Sequence, residues 1–507
     1  MSLTKERTHF NAGGTAGFLL NLKPRPGIEI FRDGVFYIPS PEKQMSRKSK
    51  GSGEQIFERQ ENRMEFMTGV KEKETVTLAD VTAEGMEGKT VKIEGTVHTI
   101  RDMGEVAFLI LRRREGLLQC VFEEGVTEFD WKTLKEASGI VAEGVIRKEE
   151  RAPHGVELRL TGITVLSEPA APMPLPIAKW KLNTSLDAKL NRRSISLRNV
   201  RERAKFRIQE GVVRAFRDFL YSQGFTEIHT PKLGAKGAEG GSNLFRLDYF
   251  HRPAVLAQSP QFYKQMAMAA GFERIFETGP VFRAEKSYTN KHATEFSGFD
   301  LEFSYITSFK DVMKMEEELL TAGLQAVKDN YGDQIKELFG QEVIVPTTPF
   351  PVVKLADLYK ALEEEFGYTV DESEKGDLTT EAERLSYDWV KKHYGHEFLF
   401  ITDYSAEKRA FYHMRDENGV PQGYDLIWRG VEITTGAQRE HRYEVLKKQA
   451  EEKGLADDVK FYLEFFQYGC PPHGGFGLGI DRLTMLLCGL SIKDAEFLFR
   501  GPNRLTP

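Results

Sequence analysis

Between Val76 and Leu166 the chain consists of five short β-rich runs separated by turns that contain glycine. One short helical stretch is expected between the third and fourth runs, near residues 131–137. Runs of this length, with turns between them, predict a small five-stranded barrel rather than a helical bundle. The five runs are Val91 to Ile100, Ala107 to Leu111, Leu117 to Phe122, Ile140 to Ile146, and Val156 to Val165.

Small five-stranded barrels of the OB type bind single-stranded nucleic acid through aromatic and polar side chains on one face. Phe108 and Gln119 are the candidates for such a face. The alternative interpretation is that Phe108 is a core residue of the barrel, and the pattern alone favours that alternative.

Composition limits the classes of protein that remain. Lys plus Arg number 70 and Asp plus Glu number 76, so a net charge of -6 gives no basic field over the whole chain. Three cysteines without a Cys-x-x-Cys pair argue for a reducing compartment and against structural zinc. The sequence contains no apolar stretch of membrane-spanning length, so we expect no membrane segment and a cytoplasmic location.

Proline and glycine mark the predicted domain boundaries. Residues 1–74 are expected to form an extension with little regular structure, and residues 75–168 the barrel. Four prolines between Pro169 and Pro176 open a stiff connector over 169–200. Residues 201–507 mix strands and helices without a βαβ rhythm, which predicts an α+β domain on an antiparallel sheet. Residues 309–397 are interpreted as a helical insertion without chemistry of their own.

Neither common nucleotide-binding loop is present, because the chain has no Gly-x-x-x-x-Gly-Lys-[Ser/Thr] and no strand-linked Gly-x-Gly-x-x-Gly. Three other clusters are candidates for chemistry. The first is a predicted hairpin, Gly279 to Glu285 and Phe296 to Glu302, in which an arginine and an aromatic residue are suited to hold a phosphate and a purine. The second is Tyr424 to Arg439, and the third is the glycine-rich Gly474 to Arg482.

Asp425 and Glu432 lie on strand-like sequence in the second cluster. Mg²⁺ usually takes one or two carboxylates together with phosphate oxygens, so this pair is a candidate metal site. The alternative is that the two carboxylates form ion pairs with Arg429 and Arg439. From these residues alone the two interpretations are equally good.

In order along the chain, these clusters resemble the signature motifs of class II aminoacyl-tRNA synthetases. Phe225 to Pro231 is similar to the first motif, Phe282 to Glu285 to the second, and Gly477 to Arg482 to the third. Within that class the chain most resembles the aspartyl-tRNA synthetase family of the archaeal and eukaryotic type. The strings that carry this resemblance are Gln258 to Gln265, Thr294 to Asp300, Glu432 to Arg439, and Arg504 to Pro507.

The resemblance implies ATP as a substrate, Mg²⁺ as its companion ion, and a reaction governed by positioning and charge stabilisation. Arg283 would neutralise the α-phosphate, and Glu285 would orient the adenine and the tRNA acceptor end. Phe296 and Arg482 would cover the two faces of the adenine. The remaining implied ATP ligands are His292, Glu432 and Gly479, and the implied metal ligands are Asp425 and Glu432.

For the amino acid, the resemblance implies positive groups at the substrate side chain and a carboxylate at its ammonium group. Lys264 and Arg439 would take the first role and Asp300 the second. A lysine facing a neutral amide would gain nothing, so Lys264 favours aspartate over asparagine. The other implied aspartate ligands are Gln261, Thr435 and Glu239, the last of them in a glycine-rich loop that resembles a lid.

In the barrel, Phe108, Gln119 and Glu157 occupy the positions with which the family contacts anticodon bases. Pro231 resembles a proline at the dimer interface, so a homodimer is expected. The chain departs from the family pattern in the barrel at Thr96 and at Gly104-Glu105, which leaves open whether tRNA for asparagine is also charged. It departs again at Phe499-Arg500-Gly-Pro502, where altered packing or acceptor-stem contact is expected.

A second function is compatible with the same resemblance: a repurposed relative that binds tRNA or an adenylate without charging tRNA. Loss of Arg283, Glu432 or Arg482 would favour it. All three residues are present.

Overall fold

The structure is a computed structural model that describes residues 76–104, 106–235, 243–285, 289 and 291–507. Its first region is a closed barrel in which the strands neighbour one another in the order β1-β2-β3-β5-β4. The strands are β1 (Thr90–Asp102), β2 (Val106–Arg112), β3 (Leu117–Glu123), β4 (Gly139–Lys148) and β5 (Val156–Ser167). The predicted five-stranded OB-type barrel is therefore confirmed.

Side chains alternate along each barrel strand between the core and the outside, as the two-residue period of a strand requires. On β2, Ala107, Leu109 and Leu111 belong to the barrel core, whereas Phe108 lies on the outer face and is absent from that core. The structure thus decides against the core interpretation of Phe108. A short 3-10 helix, Trp131–Thr133, occupies the predicted helical stretch.

The second region is built on an eight-stranded sheet of order β12-β13-β14-β15-β16-β11-β10-β6, with a separate three-stranded sheet β7-β9-β8 beside it. The large sheet is antiparallel except for the pairs β6 with β10 and β12 with β13, which confirms the predicted α+β class. The strands are β6 (Thr226–Glu227), β7 (Leu233–Gly234), β8 (Arg246–Tyr249), β9 (Arg252–Leu256), β10 (Arg274–Phe282), β11 (Glu295–Ser304), β12 (Val352–Lys354), β13 (Phe398–Thr402), β14 (Gly423–Trp428), β15 (Val431–Gln438) and β16 (His473–Gly479).

Helices cover the sheet and link it to the barrel. None in the described residues is both long enough and apolar enough to span a membrane. They are α1 (Leu78–Thr82), α2 (Leu186–Asn191), α3 (Arg193–Ser196), α4 (Val200–Ser222), α5 (Gln261–Ala269), α6 (Phe309–Phe339), α7 (Leu355–Phe366), α8 (Thr380–Tyr394), α9 (Tyr443–Glu452), α10 (Lys460–Gln467), α11 (Ile480–Cys488) and α12 (Ile492–Ala495).

Helix α4 shows how the sequence fixes these elements. Its buried residues recur every four positions, from Ala204 to Leu220, so that one face of the helix is apolar. The Asn199 side chain caps its start by accepting a hydrogen bond from the backbone N–H of Glu202 at 3.2 Å. Gly224, with φ +77°, ends it. Each fully buried side chain on this face contributes about 1.5–3 kcal/mol.

Residues 309–397, interpreted from the sequence as a helical insertion, contribute to the main core and to the large sheet. Helix α6 packs on α4 closely enough that a Cβ at Gly323 would lie 2.2 Å from the Phe216 ring, and its buried face is part of the main core. Strand β12 adds an edge to the large sheet. The charged composition hid this role because the apolar residues occupy only one face of a 31-residue helix.

Candidate active site

A cavity of about 390 Å³ opens over the middle strands of the large sheet. Strands β11, β15 and β16 supply its floor, helix α11 one wall, and the loop after β10 another. Eleven of the residues proposed from the sequence line it: Gln261, Arg283, Glu285, His292, Phe296, Asp300, Glu432, Thr435, Arg439, Gly479 and Arg482.

The hairpin β10–β11 places the arginine beside the aromatic ring. Val281 pairs with Phe296 across the two strands, so Arg283, two residues further on, passes over that ring. Its guanidinium carbon lies 5.4 Å from the ring centroid, within cation–π range. Because Arg283 is exposed at the cavity mouth, this contact orients a charge that remains accessible to an anion.

The glycines of β16 make room for carboxylates on the neighbouring strand. Gly477 pairs with Asp300 and Gly475 pairs with Glu302. A Cβ at Gly477 would lie 2.8 Å from Asp300 Oδ1, and one at Gly475 would lie 2.1 Å from the Leu301 carbonyl oxygen. The glycine run therefore allows two acidic side chains to lie buried against a strand that has no side chains to exclude them.

Lys264 lies under the floor of the cavity. Its side chain is fully buried, and Nζ donates to Asp300 Oδ1 at 2.9 Å and to the carbonyls of Phe476 at 3.1 Å and Leu301 at 3.3 Å. It is not among the lining residues. Lys264 thus lies beneath Asp300, and neighbouring oxygens occupy all three of its N–H donors in this structure.

Arg439 does reach the cavity. Nε donates to Glu302 Oε1 at 2.9 Å and Nη2 to the Gly475 carbonyl at 2.8 Å, while the hydrogen bond between Nη1 and His413 Nε2 is long, at 3.4 Å. Burial lowers the pKa of His413 well below its usual value, so the ring is neutral. Part of the Arg439 fork is thus available to a ligand carboxylate.

The two acids respond differently to burial. Burial raises the pKa of Asp300, and Lys264 opposes the rise without cancelling it. Burial also acts to raise the pKa of Glu302, but Arg439 and Lys264 outweigh it and hold that pKa below its usual range. Glu302, which the sequence reasoning did not single out, is therefore a firm anion that fixes Arg439.

Asp425 and Glu432 do not form the ion pairs considered from the sequence. Arg439 pairs with Glu302 and Arg429 with Glu397. Asp425 is instead held by both terminal nitrogens of Arg409, at 2.9 and 2.6 Å, and Asp425 is not itself a lining residue. Arg409 was missed because it lies in a loop with no recognisable motif.

Glu432 lies in the cavity with excess negative charge around it. Loss of solvent raises its pKa, and Asp425 and Glu383 raise it further against the opposing effect of Arg482 and Arg283. Such a carboxylate, with the Thr435 hydroxyl 3.3 Å away, is suited to a hard cation. Glu432 therefore fits Mg²⁺, whereas Asp425 fits it only if Arg409 releases one carboxylate oxygen.

Arg482 connects two walls of the cavity. Nη1 donates to the Glu432 carbonyl at 2.7 Å and Nε to the Lys291 carbonyl at 3.3 Å. Asp481 holds the start of α11 against the hairpin by accepting the Ser297 N–H at 2.8 Å and the Gln209 amide at 2.9 Å. The guanidinium of Arg482 is thereby positioned by three separate elements.

An ion pair that the sequence gave no sign of fixes the loop after β10. Lys291 Nζ donates to both oxygens of Glu383 on α8, at 2.6 and 2.8 Å, and Glu383 also accepts the Glu432 N–H at 3.2 Å. A residue from the segment expected to lack chemistry thus supports the cavity wall. A helix-surface glutamate carries no signal that would distinguish it from a solvated one.

His292 is half-buried and hydrogen-bonds the Thr289 hydroxyl. Burial, with Arg482 and other nearby cations, lowers its pKa. Phe499-Arg500-Gly-Pro502 also lies near this loop, because the Arg500 carbonyl accepts the Thr294 N–H at 3.1 Å. Glu239 lies outside the described residues.

In the barrel, Gln119 donates to Glu157 at 2.9 Å, and Glu157, almost fully buried, also pairs with Arg147. Glu157 is therefore placed to orient the Gln119 amide rather than to meet a base itself. Pro231 is exposed, between β6 and β7. Glu105 lies outside the described residues.

Comparison with known proteins agrees with this geometry. Residues 185–499 match the family of class II tRNA synthetases (D, K and N), and residues 91–166 match the OB-fold nucleic acid binding domain. An aspartate–tRNA(Asp/Asn) ligase from Aeropyrum pernix is 39% identical over 85% of this chain and 99% of its own. An aspartate–tRNA(Asp) ligase from Pyrococcus abyssi is 38% identical over 84% and 98%.

Solved structures give the same result. The asparaginyl-tRNA synthetase of Pyrococcus horikoshii with asparaginyl-adenylate superposes with a TM-score of 0.77 at 31% identity, over 86% of this chain and all of that one. The aspartyl tRNA synthetase of Entamoeba histolytica gives 0.75 at 31% identity, over 85% and 93%. The fold and site define an aminoacyl-tRNA synthetase. The chain belongs to the class II tRNA synthetases of the D, K and N group.

Proposed function

We propose that the chain is an aspartate–tRNA ligase that forms aspartyl-adenylate from aspartate and ATP and then transfers the aspartyl group to the 3′ end of tRNA. The observation that carries the proposal is that one cavity contains both the guanidinium of Arg439, part of which is available to a ligand, and the carboxylate of Asp300. An aspartate molecule brings a carboxylate for the first and an ammonium group for the second.

We call Gln261, Asp300, Thr435 and Arg439 the amino-acid end of the cavity. When the substrate ammonium engages Asp300, Lys264 loses part of its counter-charge, since it pairs with Asp300 at 2.9 Å. The carboxylate of the aspartate side chain replaces the lost negative charge, so that Lys264 pairs with the substrate instead of with Asp300. Asparagine restores nothing, and a buried unpaired cation costs several kcal/mol, an order of magnitude that decides between the two substrates.

We call Arg283, Glu285, His292, Phe296, Gly479 and Arg482 the nucleotide end. Arg283 and Arg482 bring two positive groups to a cavity that is also lined by the half-buried ring of Phe296. ATP fits this end, with adenine against Phe296 and its phosphates between the two arginines. Arg283 then stabilises the charge that develops at the α-phosphorus when the aspartate α-carboxylate attacks it.

Glu432, with Asp425 behind it, would hold Mg²⁺. The ion would neutralise phosphate charge and orient the leaving pyrophosphate. The chain's own contribution is the Glu432 carboxylate, whose pKa is raised first by burial and then by the neighbouring Asp425, so that a bound cation would favour its charged form.

For tRNA, the outward faces of Phe108 and Gln119 are proposed to contact the anticodon, with Glu157 holding Gln119. The named relatives differ in whether tRNA(Asp) alone or tRNA(Asp) and tRNA(Asn) appears in their names, and charging of tRNA(Asn) also belongs to this proposal. A homodimer through the Pro231 region, a cytoplasmic location and an aspartate-binding role for Glu239 complete it. The repurposed relative gains no support from the comparisons, since the relatives named above are ligases.

The test is exchange between ATP and pyrophosphate in the purified protein, without tRNA, given aspartate, asparagine or lysine separately. We expect exchange with aspartate alone. Equal exchange with asparagine would refute the charge argument. Folded protein that binds tRNA but exchanges with none of the three amino acids would refute the ligase proposal in favour of the repurposed relative.

A further inference from the structure

A second cavity, of about 570 Å³, lies between the barrel and the helices that follow the connector. We call it the junction cleft. Strand β1, the end of β2, and helices α3 and α4 border it. Five of its twelve lining residues are arginines, and Glu94 is the one carboxylate among them. The arginines are Arg112, Arg113, Arg114, Arg198 and Arg203.

Three of these guanidinium groups form no ion pair with a described carboxylate, although Glu115 acts on Arg203 from a greater distance. Glu115 lies 2.5 Å from Arg114 and 3.7 Å from Arg113. By contrast, within the described ranges no carboxylate lies within 4 Å of Arg112, Arg198 or Arg203. The hydrogen bond that Arg203 donates, at 2.9 Å, goes to the neutral carbonyl of Arg113.

Burial and the neighbouring guanidinium groups act on the protonation of Arg112. Burial, together with Arg198 and Arg203, lowers the pKa of Arg112 to about 10. Burial and Arg112 also lower the pKa of the neighbouring His98 to about 4, so the imidazole is neutral at pH 7 and adds no charge. Half-buried cations that repel one another destabilise a fold unless an anion joins them.

The position of the cleft indicates which anion. Phe108 and Arg112 alternate onto the same outer side of β2, and at about 3.3 Å per residue they lie roughly 13 Å apart. The cleft therefore continues from the face proposed to contact anticodon bases toward the domain with the active site. A polynucleotide that engages both domains passes this junction with its backbone.

We propose that the junction cleft binds phosphate groups, supplied by the backbone of tRNA, through Arg112, Arg198 and Arg203. The proposal rests on the tRNA ligase function proposed above and deepens it. Planar guanidinium groups hold phosphate oxygens in pairs, and each phosphate contact displaces counterions and steepens the salt dependence of binding.

The test compares Arg198→Ala with Arg214→Ala. Both arginines belong to the same helical region, but Arg214 is exposed and pairs with Glu210 outside the cleft. We expect Arg198→Ala to weaken binding of a tRNA(Asp) transcript roughly tenfold and to reduce the slope of log affinity against log salt by about one. Arg214→Ala should change neither quantity, and exchange with aspartate should be normal in both variants.

A second variant separates binding from folding. Arg198→Glu places a carboxylate between cations, so we expect its melting temperature to rise while its affinity for tRNA falls further than that of Arg198→Ala. A purely structural arginine would give the opposite sign for stability. If Arg198→Ala lowers aspartate exchange and tRNA affinity together, the effect is structural and the proposal is overturned.

The source of the phosphate is tested with inorganic phosphate and pyrophosphate. If these anions raise the melting temperature of the wild type but not of Arg198→Ala, while tRNA affinity is unchanged by the substitution, the cleft is a phosphate site for a free anion. If neither tRNA nor the free anions distinguish the two proteins, the proposal is overturned. Normal aspartate-dependent exchange in that case would still support the proposed ligase function.

Discussion

At its amino-acid end the cavity rests on strands whose buried charges neutralise one another, whereas at its nucleotide end the charged groups are joined across a loop, a strand and two helices. Lys264, Asp300, Glu302 and Arg439 are each less than one-tenth exposed. Arg283 is exposed, and Arg482 is held by carbonyls of two different elements. The positions of the charged groups at the amino-acid end are therefore fixed by the buried core, whereas those at the nucleotide end depend on contacts between a loop, a strand and two helices.

The difference indicates a division of labour. A buried network of two cations and two anions is costly to disturb, and so it discriminates strongly between substrates that differ by one charge. Groups that meet across elements can adjust as phosphates arrive, change charge and leave. The same cavity thus combines a stringent end with an adaptable one.

The largest effect is expected from Lys264→Met. This variant leaves Asp300 and Glu302 sharing one buried cation, so we expect the free energy of unfolding to fall by about 3–5 kcal/mol, measured by urea denaturation. Lys314→Met, at an exposed position on α6, is the control and should change little. A drop as small as in the control would mean that the buried network does not behave as a unit.

Arg283→Ala tests the other end. Since Arg283 is exposed and its guanidinium lies over the Phe296 ring, we expect unchanged urea stability but aspartate-dependent exchange slowed by a factor of about 10²–10³, typical of losing a donor to developing charge. A stability loss comparable to that of Lys264→Met would show that both ends are built alike.

In the barrel, Phe108→Ala should raise the KM for tRNA in aminoacylation while exchange without tRNA stays normal. Loss of one stacked base corresponds to about 1–3 kcal/mol. Phe250→Ala, an exposed aromatic far along the chain on the turn between β8 and β9, serves as the control. Equal effects of Phe108→Ala on exchange and on aminoacylation would contradict an anticodon role.

The smallest effect is expected from Glu383→Gln, which removes the charge that holds Lys291. We expect the KM for ATP in exchange to rise about fivefold, corresponding to about 1 kcal/mol for a charged hydrogen bond, with the KM for aspartate unchanged. Glu381→Gln is matched on the same helix, where its partner is Arg384. A rise in both KM values would show that the two ends are not independent.

The fold and most of the cavity could be predicted because they follow from local patterns. Two-residue alternation in the barrel and the four-residue spacing in α4 are visible in sequence. The hairpin and the glycine strand carry the residue types that phosphate binding needs. Family resemblance, now supported by matches over 185–499 and 91–166, assigned roles that the pattern alone left open.

The parts that could not be predicted depend on contacts between distant segments. Arg409 reaches Asp425 from 16 residues away, and Glu383 reaches Lys291 from 92 residues away. Lys264 was expected at the cavity surface, but the carbonyls of two strands capture it below the floor. No pattern in the chain shows which of two nearby cations will be nearer the solvent.

The glycines of β16 constrain how a chain of this kind can change over time. Any side chain at 477 would collide with the carboxylate at 300, so position 477 cannot be enlarged while Asp300 is present. A change of amino-acid substrate that needs a larger side chain at 300 on β11 is compatible with glycine at 477. A larger residue at 477 on β16, by contrast, first requires the loss of the carboxylate at 300. Substitutions at these positions are therefore expected to accumulate in a fixed order, with β11 changing before β16.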